Sequence, residues 1–163
     1  MLAQNILFYV IAAAMAIGAI RVVTTKNIVH AALYLVVVLA GVAAQYILLA
    51  AEFTAVVQVL VYIGAIVVLF LFGIMLTRAR IGRESDLDND QRFLGLFVAS
   101  TLAAFLGSIL WDAFQDTKIE PGHVQTSGEV GLSIFQTYVI PFEVISVLLL
   151  AALVGAVVIA RRD

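Results

Sequence analysis

From Phe53 to Leu76 the chain reads FTAVVQVLVYIGAIVVLFLFGIML, 24 residues without a charged side chain. At about 1.5 Å per residue, a helix of that length crosses the roughly 30 Å hydrocarbon core of a bilayer. Two features inside the run are not required for contact with lipid. Gln58 and Tyr62 make a polar group in its middle, and Gly64 sits among β-branched neighbours.

The rest of the chain has the same character. With 64% hydrophobic and 12% charged residues and a mean hydropathy of +1.13, it departs from a soluble domain, whose apolar share is about half and charged share about a quarter. The apolar residues fall into five runs, 2–20, 29–50, 53–76, 93–111 and 140–160. Each is near the roughly 20 residues of a spanning helix and well beyond the roughly 9–11 residues of a barrel strand. The expected fold is therefore an all-α integral membrane protein, a single membrane domain of five transmembrane helices over 1–163. A hydrophilic loop is expected over 77–91 and a longer one over 112–139.

Several kinds of chemistry are disfavoured. There is no cysteine, hence no disulfide, thiolate metal site or iron–sulfur ligation. His30 and His123 stand apart with no partner at metal-ligand spacing, and no metal or bound cofactor is expected. No basic patch interleaved with aromatics points to nucleic acid. The aspartate-bearing segment TRARIGRESDLDND lacks the glycine and terminal glutamate of a calcium loop and is expected to be solvated.

Between Ala31 and Leu76 lie 46 residues with one charge, Glu52. As one helix they would reach about 69 Å, roughly twice what a bilayer accepts, so the chain turns back at Ala50–Thr54, with Thr54 as a potential cap. On the second run His30, Tyr34, Val38, Gly41, Gln45 and Glu52 follow helical spacing along one stripe. Interhelical hydrogen bonding and the lining of a proton path remain equally open uses for it. Ala12, Ala14, Ala16 and Gly18 place small residues at close-packing intervals on the first run.

Near the other end of the chain, Pro141 suits the first turn of the fifth helix, and Glu143 is expected in that same turn, facing the positive end of the helix dipole. The segment from Gly131 to Val139 mixes apolar and polar residues and could lie along the membrane surface. Placing the 1–2 loop, the 3–4 loop and the C-terminus on one side collects eight of the nine basic residues, leaving Lys118 opposite. The positive-inside rule then puts the N-terminus outside and the C-terminus in the cytoplasm.

On a regular third helix Thr54, Gln58 and Tyr62 would share a face. A π-bulge would rotate everything beyond it by about 100°, and glycine, here Gly64, tolerates such a defect. From the residues alone, Gly64 reads more readily as a packing glycine, since glycine is common in membrane helices.

The string from Gln58 through Tyr62 and Gly64 to Phe72, with Met75 and Leu76, resembles the third-helix signature of the subunit J family of proton-translocating NADH:quinone oxidoreductase, respiratory complex I, the counterpart of mitochondrial chain 6. Asn27-Ile-Val-His30-Ala-Ala-Leu33 and Phe142-Glu143-Val-Ile-Ser146-Val-Leu-Leu-Leu150 are similar to that family's starts of helices two and five. The resemblance implies a membrane-arm subunit of a bacterial inner-membrane complex without catalytic residues of its own. NADH, FMN, iron–sulfur clusters and quinone would be handled by other subunits, and the neighbours would be those with the quinone chamber and the first buried glutamates. It implies a third helix passing between α and π forms at Tyr62-Gly64, with Gln58, Glu52 and Glu143 as secondary polar contacts. A structural spacer in the same complex, or a subunit of a related cation/proton antiporter assembly, are the alternatives.

Overall fold

The computed structural model of the protein describes residues 2–77, 91–116 and 124–161. Arg78, Arg80, Arg83, the aspartate run after them, Pro121-Gly122 and His123 lie outside the described residues. Every described element is a helix: α1 (Leu2–Thr24), α2 (Ile28–Leu48), α3 (Glu52–Leu76), α4 (Arg92–Phe114), a short α5 (Ser127–Gln136) and α6 (Val139–Ala160). Five of them, α1 to α4 and α6, are long and apolar enough to cross a membrane. The protein is an all-α, multi-pass membrane protein.

The helices run beyond the apolar cores from which they were expected. α1 continues past Ile20 to Thr24 and carries Arg21 in its last turn, where a cation meets the negative end of the helix dipole. Only residues 25–27 separate it from α2. The side-chain oxygen of Asn27 caps α2 by accepting from the backbone N–H groups of Val29 (2.9 Å) and His30 (3.3 Å). Within the stretch 112–139, expected as a loop, α5 is a defined helix.

The turn between α2 and α3 is built differently from the expected threonine cap. Ala50 donates its N–H to Ile47 O (3.0 Å), and Ala51 donates to Tyr46 O (2.9 Å). This is the paired closure of a Schellman motif, which satisfies carbonyls that a helix end otherwise leaves open. Ala50 adopts φ 57°, the one non-glycine residue with positive φ among those described. Ala51 is then the N-cap of α3 and makes no side-chain cap bond, Glu52 opens the helix, and Thr54 lies inside it. The turn closes through α2's own carbonyls, so no side-chain cap holds it together. Because an L-residue in the left-handed region costs about 1 kcal/mol that glycine does not incur, Ala50→Gly is expected to stabilise the hairpin by about that amount. Thermal inactivation of the detergent-solubilised complex, compared between the two forms, checks this.

α1 and α2 pack along a seam of small residues. At Gly18 an added Cβ would come 3.0 Å from Val38 Cγ2, and at Gly41 it would run into Met15 Cγ. Gly18 is buried and Ala12 half-buried, but Ala14 and Ala16 are exposed, so the close-packing face of α1 runs through Ile11, Ala12, Met15 and Gly18. Of the polar stripe expected on α2, Val38, Gly41 and Gln45 belong to this seam, whereas His30 is exposed and Glu52 lies exposed on α3. Gln45 Nε2 donates to Phe8 O at 3.2 Å, and Gln4 Nε2 donates back to Leu48 O at 2.9 Å. Gln45 Oε1 is buried with no hydrogen-bond partner.

α3 packs along the other side of α2. Among the described residues α4 touches no other helix, and α6 touches only α5. Hydroxyls on these helices bond to their own backbones, Thr101 to Phe97 O, Ser108 to Phe105 O and Ser146 to Phe142 O. Among the described residues α1, α2 and α3 pack together, α4 stands without a helix partner and α6 meets only the short α5.

Candidate functional site

α3 is α-helical over Glu52–Val57, a π-helix over Gln58–Val67, and α-helical again over Val68–Leu76. Tyr62 and Gly64 lie in the middle of the π segment. At ten residues it is longer than the single inserted residue that the Tyr62-Gly64 pair suggested, and longer than most π-bulges.

The consequence is rotational. In a regular helix, nine residues at about 100° each place Val67 about 180° from Gln58. A π-helix turns roughly 82° per residue, which brings the same pair within roughly 20° of each other. Gln58 is 7% exposed and Val67 3% exposed, so both lie on the inward face, against α2. The inward positions of α3 run Ala55, Val57, Gln58, Ile63, Val67, Leu71 and Ile74, and the five-residue step from 58 to 63 marks the insertion. Exposure nevertheless separates the three polar residues Thr54, Gln58 and Tyr62: Gln58 is buried, Thr54 is exposed, and Tyr62 is 47% exposed.

Gly64 is also exposed. A Cβ built on it would meet only Val59 O, five residues back in the same helix, at 3.4 Å. No neighbouring helix of this chain presses on Gly64, in contrast to Gly18 and Gly41. Its lack of a side chain is a matter of the helix's own geometry or of another molecule's approach. Gln58 is the buried polar residue among those described, held where α3 crosses α2.

The two carboxylates are placed apart. Glu52, at the first turn of α3, is exposed. It borders a cleft of about 340 Å³ between the α2–α3 turn and the segment leading into α5. On its other side an apolar groove runs along Ile47, Ala55, Val56, Val59 and Leu60. Glu143 is exposed on α6, which does not touch α3. It falls beyond the first turn, because α6 begins at Val139 and not at Pro141. The expected dipole contact is thereby weakened, since such effects fade after one turn. Among the described residues no three His, Cys, Asp or Glu side chains group as a metal site.

Two features of the site were not expected from the sequence. Val67, the residue that takes the inward place, is indistinguishable by composition from its apolar neighbours. Ala50 carries no turn signature, since glycine or asparagine usually marks the position.

Five apolar spans, the third carrying a π segment with Tyr62 and Gly64, define a class: a multi-pass all-α membrane protein. The family model for NADH-ubiquinone/plastoquinone oxidoreductase chain 6 matches residues 18–159. The chain is 42% identical over 148 residues to F(420)H(2) dehydrogenase subunit J of Methanosarcina mazei, covering 89% of this chain and 84% of that protein. It is 38% identical over 165 residues to NAD(P)H-quinone oxidoreductase chain 6 of Synechocystis sp., covering 98% and 82%. It is 39% identical over 167 residues to the organellar chromatophore subunit 6 of Paulinella chromatophora, covering 98% and 79%. The chain belongs to the NADH-ubiquinone/plastoquinone oxidoreductase chain 6 family and is a subunit of an oxidoreductase complex of that kind.

Proposed function

We propose that this subunit couples quinone reduction to proton transfer in a bacterial inner-membrane NADH:quinone oxidoreductase through an α/π transition of its third helix. The observation that carries the proposal is the rotation at Gln58–Val67. In the π form Val67 is packed inward and Tyr62 points out of the chain. In an α form Val67 would swing to about 180° from Gln58, and Tyr62 would move by about 70°, from one side of Gln58 to the other. One conversion thus takes an isopropyl group off the inward face and re-aims the phenol at the surface that another subunit meets.

Tyr62 lies about 15 Å along the helix from Glu52, close to mid-membrane. A phenol there is costly unless protein or water surrounds it. The described residues leave it 47% exposed, which supports a neighbouring subunit completing a hydrated path with Tyr62 as one hydroxyl of a water chain. Gly64 supplies the conformational freedom, Gln58 is the amide about which the face turns, and Glu52 and Glu143 are polar contacts toward the outer side. The basic residues support an outside N-terminus and a cytoplasmic C-terminus.

NADH oxidation, FMN, the iron–sulfur clusters and the quinone chamber belong, in this reading, to other subunits. The relatives' names differ in electron donor, NAD(P)H in one group and F(420)H(2) in another, as expected if this chain never meets the donor. Coupling requires that quinone or proton occupancy favour one helix form, since a ligand equally compatible with both shifts nothing.

Tyr62→Phe in the assembled complex tests the reading. Quinone reductase turnover is expected to persist while protons translocated per electron pair fall roughly tenfold. That is less than the roughly hundredfold loss of a full acid–base group, because water can replace a hydroxyl in a chain. Unchanged turnover and pumping would leave a structural spacer. Isolation of the chain without flavin and iron–sulfur subunits would favour an antiporter-type assembly instead.

A further inference from the structure

α5 is short, but its geometry is closed at both ends. Thr126 Oγ1 accepts from Glu129 N (3.4 Å), and Glu129 Oε2 accepts from Thr126 N (2.8 Å), a complete capping box. At the other end Thr137 and Tyr138 both donate to Ser133 O, and α6 begins at Val139. At about 100° per residue, Val130, Ile134, Gly131, Phe135 and Leu132 cover an arc of about 200°, and Gln136, Glu129 and Ser133 the remaining side.

The two edges of the apolar arc differ. Val130 and Ile134 are half-buried, Val130 lining the cleft beside Leu49–Thr54. Phe135 is 63% and Leu132 58% exposed, so the described residues leave most of both uncovered. The height of the helix is set by two attachments: it touches the start of α3, where that span leaves the α2 turn, and it runs within two residues into the span α6. Both are span ends, which places α5 at the membrane boundary. Its exposed edge is continuous with the surface of α6, because the Phe135 ring stands edge-on to that of Phe142 at 5.2 Å, in the first turns of that span.

We propose that α5 is an interfacial helix whose Leu132–Phe135 edge is immersed in the headgroup–acyl boundary of the leaflet in which α2 turns into α3. Its occupant is lipid, not another polypeptide. α5 carries no basic residue, and its polar arc has one carboxylate, Glu129. Immersion is driven by apolar area and needs no anionic headgroup, unlike the lysine- and arginine-rich interfacial helices.

The test uses the assembled complex with Phe135→p-benzoylphenylalanine, irradiated in vesicles of phosphatidylcholine with and without phosphatidylglycerol. Mass spectrometry of the isolated chain is expected to find a lipid adduct, with yields in the two vesicles within about twofold. The same photoprobe in place of Ser133, on the polar arc, is expected to give at least about fivefold less adduct. A cross-link to a second polypeptide at Phe135, an unmodified chain, or a yield that depends on phosphatidylglycerol would overturn the proposal. Leu132→p-benzoylphenylalanine serves as a second position on the same edge. A complex that assembles with neither substitution identifies a protein-packed site and overturns the proposal as well.

Discussion

Gly64→Val is expected to lower proton translocation per electron pair by roughly tenfold while the complex still assembles. No side chain of another helix in this chain lies near the added Cβ, whose nearest neighbour is Val59 O at 3.4 Å. Loss of packing within this chain is therefore not the expected effect. A β-branched residue is restricted at χ1 by the preceding turn, and Val59 O lies one π-helical repeat before Gly64. The two γ-carbons crowd the carbonyls that exchange partners when the helix passes between its forms. A bias or barrier of about 1.4 kcal/mol is enough for a tenfold effect. Proton uptake by energised vesicles, normalised to the amount of assembled complex, measures it. Gly64→Ala, which adds only the Cβ, is expected to lose about threefold or less. Pumping unchanged in Gly64→Val would end the gating role of the π segment.

At the α1–α2 seam the closer contact is expected to be the cheaper one to disturb. A Cβ on Gly41 comes nearest to Met15 Cγ and Sδ, and methionine is unbranched and repacks readily. Gly41→Ala is expected to cost less than about 1 kcal/mol. A Cβ on Gly18 meets Val38 Cγ2 at 3.0 Å with Tyr34 O behind it at 3.7 Å, a β-branched side chain and a backbone atom that have little room to give. Gly18→Val is expected to cost about 2 to 3 kcal/mol, the upper part of the range for overpacked sites. Its first sign would be less assembled complex at equal expression, measured by blue-native electrophoresis, with normal activity per assembled unit. Equal loss in the two variants would mean that Val38 repacks as easily as Met15.

The number and character of the spans were legible because lipid leaves no alternative. A run such as Phe53–Leu76 must pair its own backbone, and the single charge at Glu52 marks the only place where Ala31–Leu76 can reverse. The details of that reversal were not legible. Thr54 has the chemistry of a cap, yet the turn closes through α2 carbonyls with Ala50 in a conformation that no alanine signals. The ends of α1 and α4 were underestimated because Arg21, Arg92 and Asp112 are unfavourable in lipid but ordinary at helix termini. Similarly, Glu143 lost its place in the first turn because α6 starts two residues before Pro141.

The Phe53–Leu76 run therefore carried, from its residues, a membrane-crossing helix with Gln58, Tyr62 and Gly64 at its middle. Its resemblance to a known family pointed to π geometry there. Which side of the helix each residue faces was settled by packing. Over nine residues the difference between about 100° and roughly 82° per residue amounts to half a turn, so the face depends on a backbone state that hydrophobic pattern does not encode. Contact with α2 buries Gln58 and Val67 together and leaves Tyr62 outward. Apolar residues on all sides of a membrane helix are chemically equivalent toward lipid, and only the approach of a second helix makes one of those sides the inside.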